Sequence, residues 1–263
     1  MEVIFLGSGG GRICMMLQKR ATGGFIIKSD KHQIHIDPGP GALVRAYQYK
    51  VNPLKTDIII LSHAHADHVT DTEVIIEAMT NGTTKKKGIL VANKTSIYGN
   101  EITRPAFSKY YEAFLERIIC AEDDEIKLDD IKLKPIHLKH NEPNTVGYII
   151  EINGKKIGYI ADTEYFDGLS QFEKTDVLII NVVRPNNERL KGHLCSRDVI
   201  EILKKTKPKL AIIQHFGMKM LYAGPETQAK MIEKESGVRT IAAKDGMVIN
   251  VDRELNETLS SFS

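Results

Sequence analysis

The sequence predicts an α/β protein in which sheets pack together and helices cover them. Three observations carry that expectation. Short apolar runs, "EVIFL", "GFIIKS", "HQIHID" and "DIIILS", dominate the first sixty residues, punctuated by Gly- and Pro-rich turns. The strand pattern returns between residues 118 and 183. Helical segments are interspersed in each half, with no linker, repeat or low-complexity stretch, so residues 1–263 are expected to form a single domain.

After the fourth run, "HVTDTEVIIEAM" (68–79) places Val69, Val74, Ile75 and Met79 at helical spacing. "RPAFSKYYEAFLERI" (104–118) predicts a helix with Pro105 at its start. Its aromatic stripe of Phe107, Tyr110, Tyr111 and Phe114 reads as core, with a lid or a homodimer contact as the other readings. "EIKLDDIKLKPIHLKH", "TVGYIIEINGKKIGYIAD" and "DVLIINVV" predict strands, and Asn153-Gly154 predicts a type I′ hairpin turn between two of them. Ser196 reads as the N-cap of "RDVIEILKKT". "LAIIQH" predicts a strand, and "PETQAKMIEKES" a helix ending at Gly237. "RTIAA" and "GMVINV" are expected to close the chain as a hairpin through "KDG".

Composition narrows the function. The chain is 42% hydrophobic and 27% charged, with a net charge of +2, which fits an ordinary globular protein. Balanced charge does not indicate a nucleic-acid binder, and the lysine runs at 84–88 and 204–209 read as solvated surface. No apolar run approaches the ~20 residues of a membrane span. Three widely spaced cysteines (Cys14, Cys120, Cys195) argue against a disulfide framework and for the cytoplasm, and no signal peptide is expected. "GSGGGR" (7–12) is a decoy for a dinucleotide fingerprint. Arg12 stands where the last glycine is needed, and no helix clearly follows.

The informative stretch is "LSHAHADHV" (61–69). His63, His65, Asp67 and His68 lie where a strand ends and a helix begins, so their side chains can converge on one point. Packing alone would bury four polar groups at high cost. Imidazoles with a carboxylate suit Zn²⁺, and also Mn²⁺ or Fe.

"HAHADH" resembles the H-x-H-x-D-H signature of the metallo-β-lactamase-fold hydrolases. That resemblance implies a four-layer αββα sandwich of two mixed β-sheets flanked by helices, with two divalent metal ions at one edge of the paired sheets. It implies His63 and His65 on the first ion, and Asp67 and His68 on the second, Asp67 also counting as catalytic. "HNEPNTVGY" favours His140 over His137 as the third histidine. "GYIADTEYF" supplies Asp162 as the bridging aspartate, "AIIQHFG" supplies His215, and Asp37 of "IDPGPG" is a support for the ligands. Two ions sharing a water lower its pKa toward ~7, which predicts hydrolysis of an ester, phosphodiester, lactone or thioester.

The chain most resembles the branch of ribonuclease Z and the phosphonate-pathway cyclic phosphodiesterase. In that branch a non-ligand histidine donates a proton to the leaving oxygen, and His193 holds a similar place. Its other reading is a structural histidine at a helix start. Arg184, Arg189 and Lys191 could bind phosphate oxygens. His140 and Asp162 are 22 residues apart, which leaves no room for the tRNA-binding arm of ribonuclease Z. The expected substrate is thus a small or nucleotide-like phosphodiester. A lactonase or thioesterase using Tyr165 is the alternative, with Tyr165 as a packed aromatic its bland reading. A non-catalytic metal-binding protein is a third possibility.

Overall fold

The structure, a computed structural model, describes residues 1–122 and 124–260. The first half of the chain supplies β1 (Glu2–Phe5), α1 (Arg12–Leu17), β2 (Phe25–Lys28), β3 (Gln33–Ile36), α2 (Ala42–Gln48), β4 (Ile58–Leu61), α3 (Ala66–Val69), α4 (Thr72–Met79), β5 (Ile89–Ala92), α5 (Lys94–Tyr98), α6 (Lys109–Glu112) and β6 (Arg117–Cys120). The second half supplies β7 (Ile126–Leu128), β8 (Ile131–His137), β9 (Val146–Ile152), β10 (Lys155–Ile160), β11 (Val177–Asn181), α7 (Ser196–Thr206), β12 (Leu210–Gln214), α8 (Met218–Ala223), α9 (Pro225–Ser236), β13 (Thr240–Ala242), β14 (Val248–Asn250) and α10 (Val251–Ser260).

Two seven-stranded sheets result, in the orders β14-β1-β2-β3-β4-β5-β6 and β13-β12-β11-β10-β9-β8-β7. Each is mixed. β3 to β6 run parallel, as do β10 to β13, and the remaining pairs are antiparallel. Strand β4 shows why its sequence is apolar at every position. Ile58 and Ile60 enter the core between the sheets. Ile59 and Leu61 pack instead with Ala42 of α2 and with Ile75, Ile76 and Met79 of α4. Alternation of side chains makes a strand buried on both faces continuously hydrophobic. On the second sheet, α7 and α9 supply Val199, Ile202, Leu203 and Ile232 to the buried core. The layers are helix, sheet, sheet, helix, as the α/β expectation required. Among the described residues no helix is long and apolar enough to cross a membrane.

Asn153 and Gly154 both take positive φ (52° and 72°), the backbone a type I′ turn needs. Gly237 ends α9 in the left-handed conformation, again as expected. Several expectations are corrected. Residues 68–79 form two helices, broken between Val69 and Thr72, where the Asp71 N–H bonds to the Pro38 carbonyl. Val74 faces outward at 39% exposure, and Ile76 takes its place in the core. The helix predicted for 104–118 shrinks to four residues. Lys87 N–H bonds to the Phe114 carbonyl and Glu116 N–H to the Gly88 carbonyl, which draws the chain out into β6. Phe107 is core, whereas Tyr110 stacks on the surface against Tyr111 and Phe114. Cys195, not Ser196, caps α7, with the Asp198 carboxylate accepting from its backbone N–H. A short helix, α1, does follow the glycine run. The closing strands are not a hairpin, because β13 and β14 lie in different sheets.

Candidate metal centre

The functional side chains follow the carboxyl ends of strands: Asp37 after β3, His63 and His65 after β4 with Asp67 and His68 on the succeeding α3, His140 after β8, Asp162 after β10 and His215 after β12. Asp37 and His215 carry positive φ (49° and 61°), a strained backbone for residues other than glycine.

Three imidazole nitrogens meet on one side. His65 Nδ1 lies 3.1 Å from His63 Nε2 and 3.1 Å from His140 Nε2. The far nitrogens fix the tautomers. His140 donates from Nδ1 to the Gly192 carbonyl (2.7 Å), and His63 Nδ1 lies 3.0 Å from Ser62 Oγ. His63 Nε2 and His140 Nε2 therefore present lone pairs. On the other side His68 Nε2 lies 3.0 Å from His215 Nε2, which is 3.2 Å from Asp67 Oδ2. His68 donates from Nδ1 to Asp37, which also accepts from Ser62 and from the Tyr159 hydroxyl. Asp162 faces both sides, with Oδ2 3.8 Å from His68 Nε2 and 3.9 Å from His140 Nε2. Asn181 donates to its Oδ1.

Burial, aided by neighbouring imidazoles, drives His63 well below the ordinary histidine range and lowers His65 and His140, so all three are neutral as ligands must be. Burial also opposes charge on His68, but Asp67, Asp37 and Asp162 outweigh it and push its pKa up to about 10. Burial likewise opposes charge on Asp162, and the surrounding imidazoles reverse the sign, holding it well below the carboxylate range. Among the described residues no Lys or Arg pairs with Asp37, Asp67 or Asp162. Converging imidazoles beside buried carboxylates that have no Lys or Arg partner fit divalent metal ions. The donor clusters are His63–His65–His140, Asp67–His68–His215 and two further triads through Asp162.

The structure thus brings together all seven residues expected as ligands, together with Asp37. His137 stays on β8, exposed and outside the cluster. His193 reaches the cluster, with Nδ1 3.4 Å from Asp162 Oδ2 and no hydrogen-bond partner. The other expected substrate residues divide. Arg184 lines a cleft of 380 Å³ beside the cluster, together with His193. Arg189, Lys191 and Tyr165 line a smaller pocket of 230 Å³. There Arg189 is tied to Asp198 (3.1 Å), and Lys205 lies 5.5 Å from the Tyr165 ring centre.

Sequence reasoning missed several supports. Gly11 N–H donates to Asp67 Oδ2 (2.8 Å), and a Cβ on Gly10 would sit 2.1 Å from the His215 ring. Glu142, buried, accepts from Asn93, Thr95 and the Asn144 N–H, pinning the loop that carries His140. Strand alternation was the available signal for Tyr159, whose inward hydroxyl reaches Asp37. Nothing local signals Asn181 or Glu142.

Two mixed sheets between helical layers, with a His/Asp cluster where the strands end, define a metallo-β-lactamase fold. The chain belongs to the beta-lactamase superfamily, whose domain model matches residues 32–216. A Methanocaldococcus jannaschii protein named only as uncharacterized is 39% identical over 255 residues, covering 95% of each chain. Ribonuclease Z of Sulfolobus acidocaldarius is 24% identical over 258 residues, covering 81% of this chain and 87% of the relative. The crystal structure of the metallo-beta-lactamase fold protein YhfI from Bacillus subtilis superposes with a TM-score of 0.78 at 20% identity, covering 94% of this chain and 98% of the other.

Proposed function

We propose that this metal-dependent hydrolase, a single domain, cleaves phosphodiesters at a site for two divalent ions, with Zn²⁺ as the first choice and Mn²⁺ or Fe fitting the same donors. His63, His65 and His140 would hold one ion and Asp67, His68 and His215 the other, with Asp162 between them. Such ions, when bound, supply Lewis acidity and a water of lowered pKa.

The observation that carries the phosphodiester reading is the position of His193. It borders both the ligand cluster and the larger cleft, and its Nδ1 has Asp162 as nearest carboxylate at 3.4 Å. Its backbone N–H bonds to the Leu190 carbonyl, and the preceding Gly192 carbonyl holds His140. One tight turn therefore orients a ligand and presents a proton donor beside it. Burial lowers the proton affinity of His193, and Asp162 works against that. An arriving phosphodiester adds negative charge on the same side, which favours the imidazolium. A proton delivered to the leaving oxygen is what cleavage of a poor leaving group needs. The relative named ribonuclease Z supports the same bond type. A lactonase use of Tyr165 is less well supported, since Tyr165 lines the smaller pocket and not the larger cleft, beside the Lys205 ammonium that Asp167 holds at 3.0 Å.

The test uses leaving groups. His193→Ala is expected to lose about 10²–10⁴ in kcat on a diester with an alkoxide leaving group, and far less on one releasing nitrophenolate. Metal content is measured in the same preparations. Equal losses on both diesters would remove His193 as proton donor. A wild type that prefers lactones to every diester would overturn the phosphodiester reading.

A further inference from the structure

We propose that the cleft beside the cluster is the seat of an apolar, ring-bearing organic group attached to the substrate phosphorus. This rests on the phosphodiester reading. The cleft's volume, 380 Å³, falls in the range of small-ligand sites. Gly10 and Gly11 line the cleft and join it to the cluster, Gly10 packing on the His215 ring and Gly11 N–H donating to Asp67. Its walls are apolar. Ile13 from α1 and Leu190 from the His193 turn line it while 54% and 38% exposed, and Val183 and Met218 line it too. Large apolar side chains left open on facing lips next to a reaction centre mark a binding surface.

The charge of the opening says what the organic group is attached to. Arg12, Arg184 and Lys219 all line it. Glu188 is the shared carboxylate partner, 2.8 Å from Lys219 and 4.0 Å from Arg184. Arg12 has no ion pair among the described residues. Three cations against one carboxylate favour an anion. The smaller pocket that also borders His193 has no such excess, its Glu164 and Asp198 being matched by Arg189 and Lys191. A small alkyl diester would leave the larger cleft unfilled, whereas an aryl or nucleoside ester fills it.

The experiment compares phenylphosphonate with methylphosphonate as non-hydrolysable ligands of the zinc-loaded protein, by titration calorimetry. Both carry the same anionic head, so their difference reports the cleft. Phenylphosphonate is expected to bind about tenfold tighter, from burial of the ring. Ile13→Asp, at an exposed position that folding tolerates, is expected to bring the ratio close to one. Ile102→Asp, at an exposed position outside the cleft, keeps it. Equal affinities in the wild type, binding of neither ligand, or an Ile13→Asp protein with an undiminished preference would each overturn the cleft assignment. A retained preference in a protein that hydrolyses no phosphodiester would uphold the cleft and sink the phosphodiester reading.

Discussion

Gly10 shows how little freedom the site leaves its surroundings. Its Cα packs so closely on His215 that an added methyl group would lie 2.1–2.2 Å from three ring atoms. Either the ring or the loop must move. Gly10→Ala is expected to weaken metal binding by about 10–100-fold, comparable to the loss of an outer ligand support. Competition against a chromophoric chelator measures this, and an unchanged affinity would show that the ring position is unimportant. At this scale the convergence of the candidate ligands was very legible where they lie close in sequence, as in "HAHADH". It was legible too where a histidine or aspartate ends a strand, as at Asp162 and His215. It was illegible where the partner is remote and chemically ordinary. Gly192 serves His140 through a carbonyl that every residue possesses, and Glu142 looks in the sequence like any surface carboxylate.

Elements were read well when their pattern was local. Runs of alternating or continuous apolar residues gave the strands, and turn residues gave the β9–β10 hairpin and the end of α9. The failures came from tertiary pairing. Residues 114–118 have helical spacing, yet hydrogen bonds to residues 87 and 88 make them enter a sheet. "RTIAA" and "GMVINV" look like a hairpin, yet each is claimed by a different sheet. One inter-element contact is testable through pH. His32, in the β2–β3 turn, lies between Asp57 ahead of β4 and Asp130 in the β7–β8 turn, and so ties the two sheets together. Burial lowers its pKa, but hydrogen bonds to both aspartates overcome this and raise it above the ordinary value. A histidine with a raised folded pKa stabilises fully below its unfolded pKa of ~6.5, and loses that contribution as pH rises through the folded value. The stability gap between wild type and His32→Gln should therefore be widest below pH ~6.5 and narrow as pH rises beyond that. Denaturant midpoints across that range provide the measurement, and a gap that stays constant with pH would exclude a charged His32.

For the whole molecule, the His/Asp cluster joins the two sheets through polar groups. Candidate ligands that follow β4 of one sheet face those that follow β8, β10 and β12 of the other. Removing bound ions leaves Asp67 and Asp162 mutually repelling across this seam. Chelation should lower Tm, reversibly on adding Zn²⁺, by an amount reflecting on the order of 4 kcal/mol for an ion at ~1,000 times its Kd. Calorimetry with and without chelator decides, and a Tm indifferent to verified metal loss would place the stabilisation elsewhere. The crossing from β13 to β14 has a consequence of another kind. Asp245, in that crossing, receives the Ser8 N–H and hydroxyl and the Ala21 N–H, and β14 is the outer neighbour of β1. Chains are synthesised from the amino end. Strand β1 thus lacks one of its two neighbours, and Ser8 its carboxylate partner, until residues 245–250 have been added. A chain ending between His215 and Asp245 contains all seven candidate ligands and still lacks the carboxylate that fastens Ser8 and Ala21.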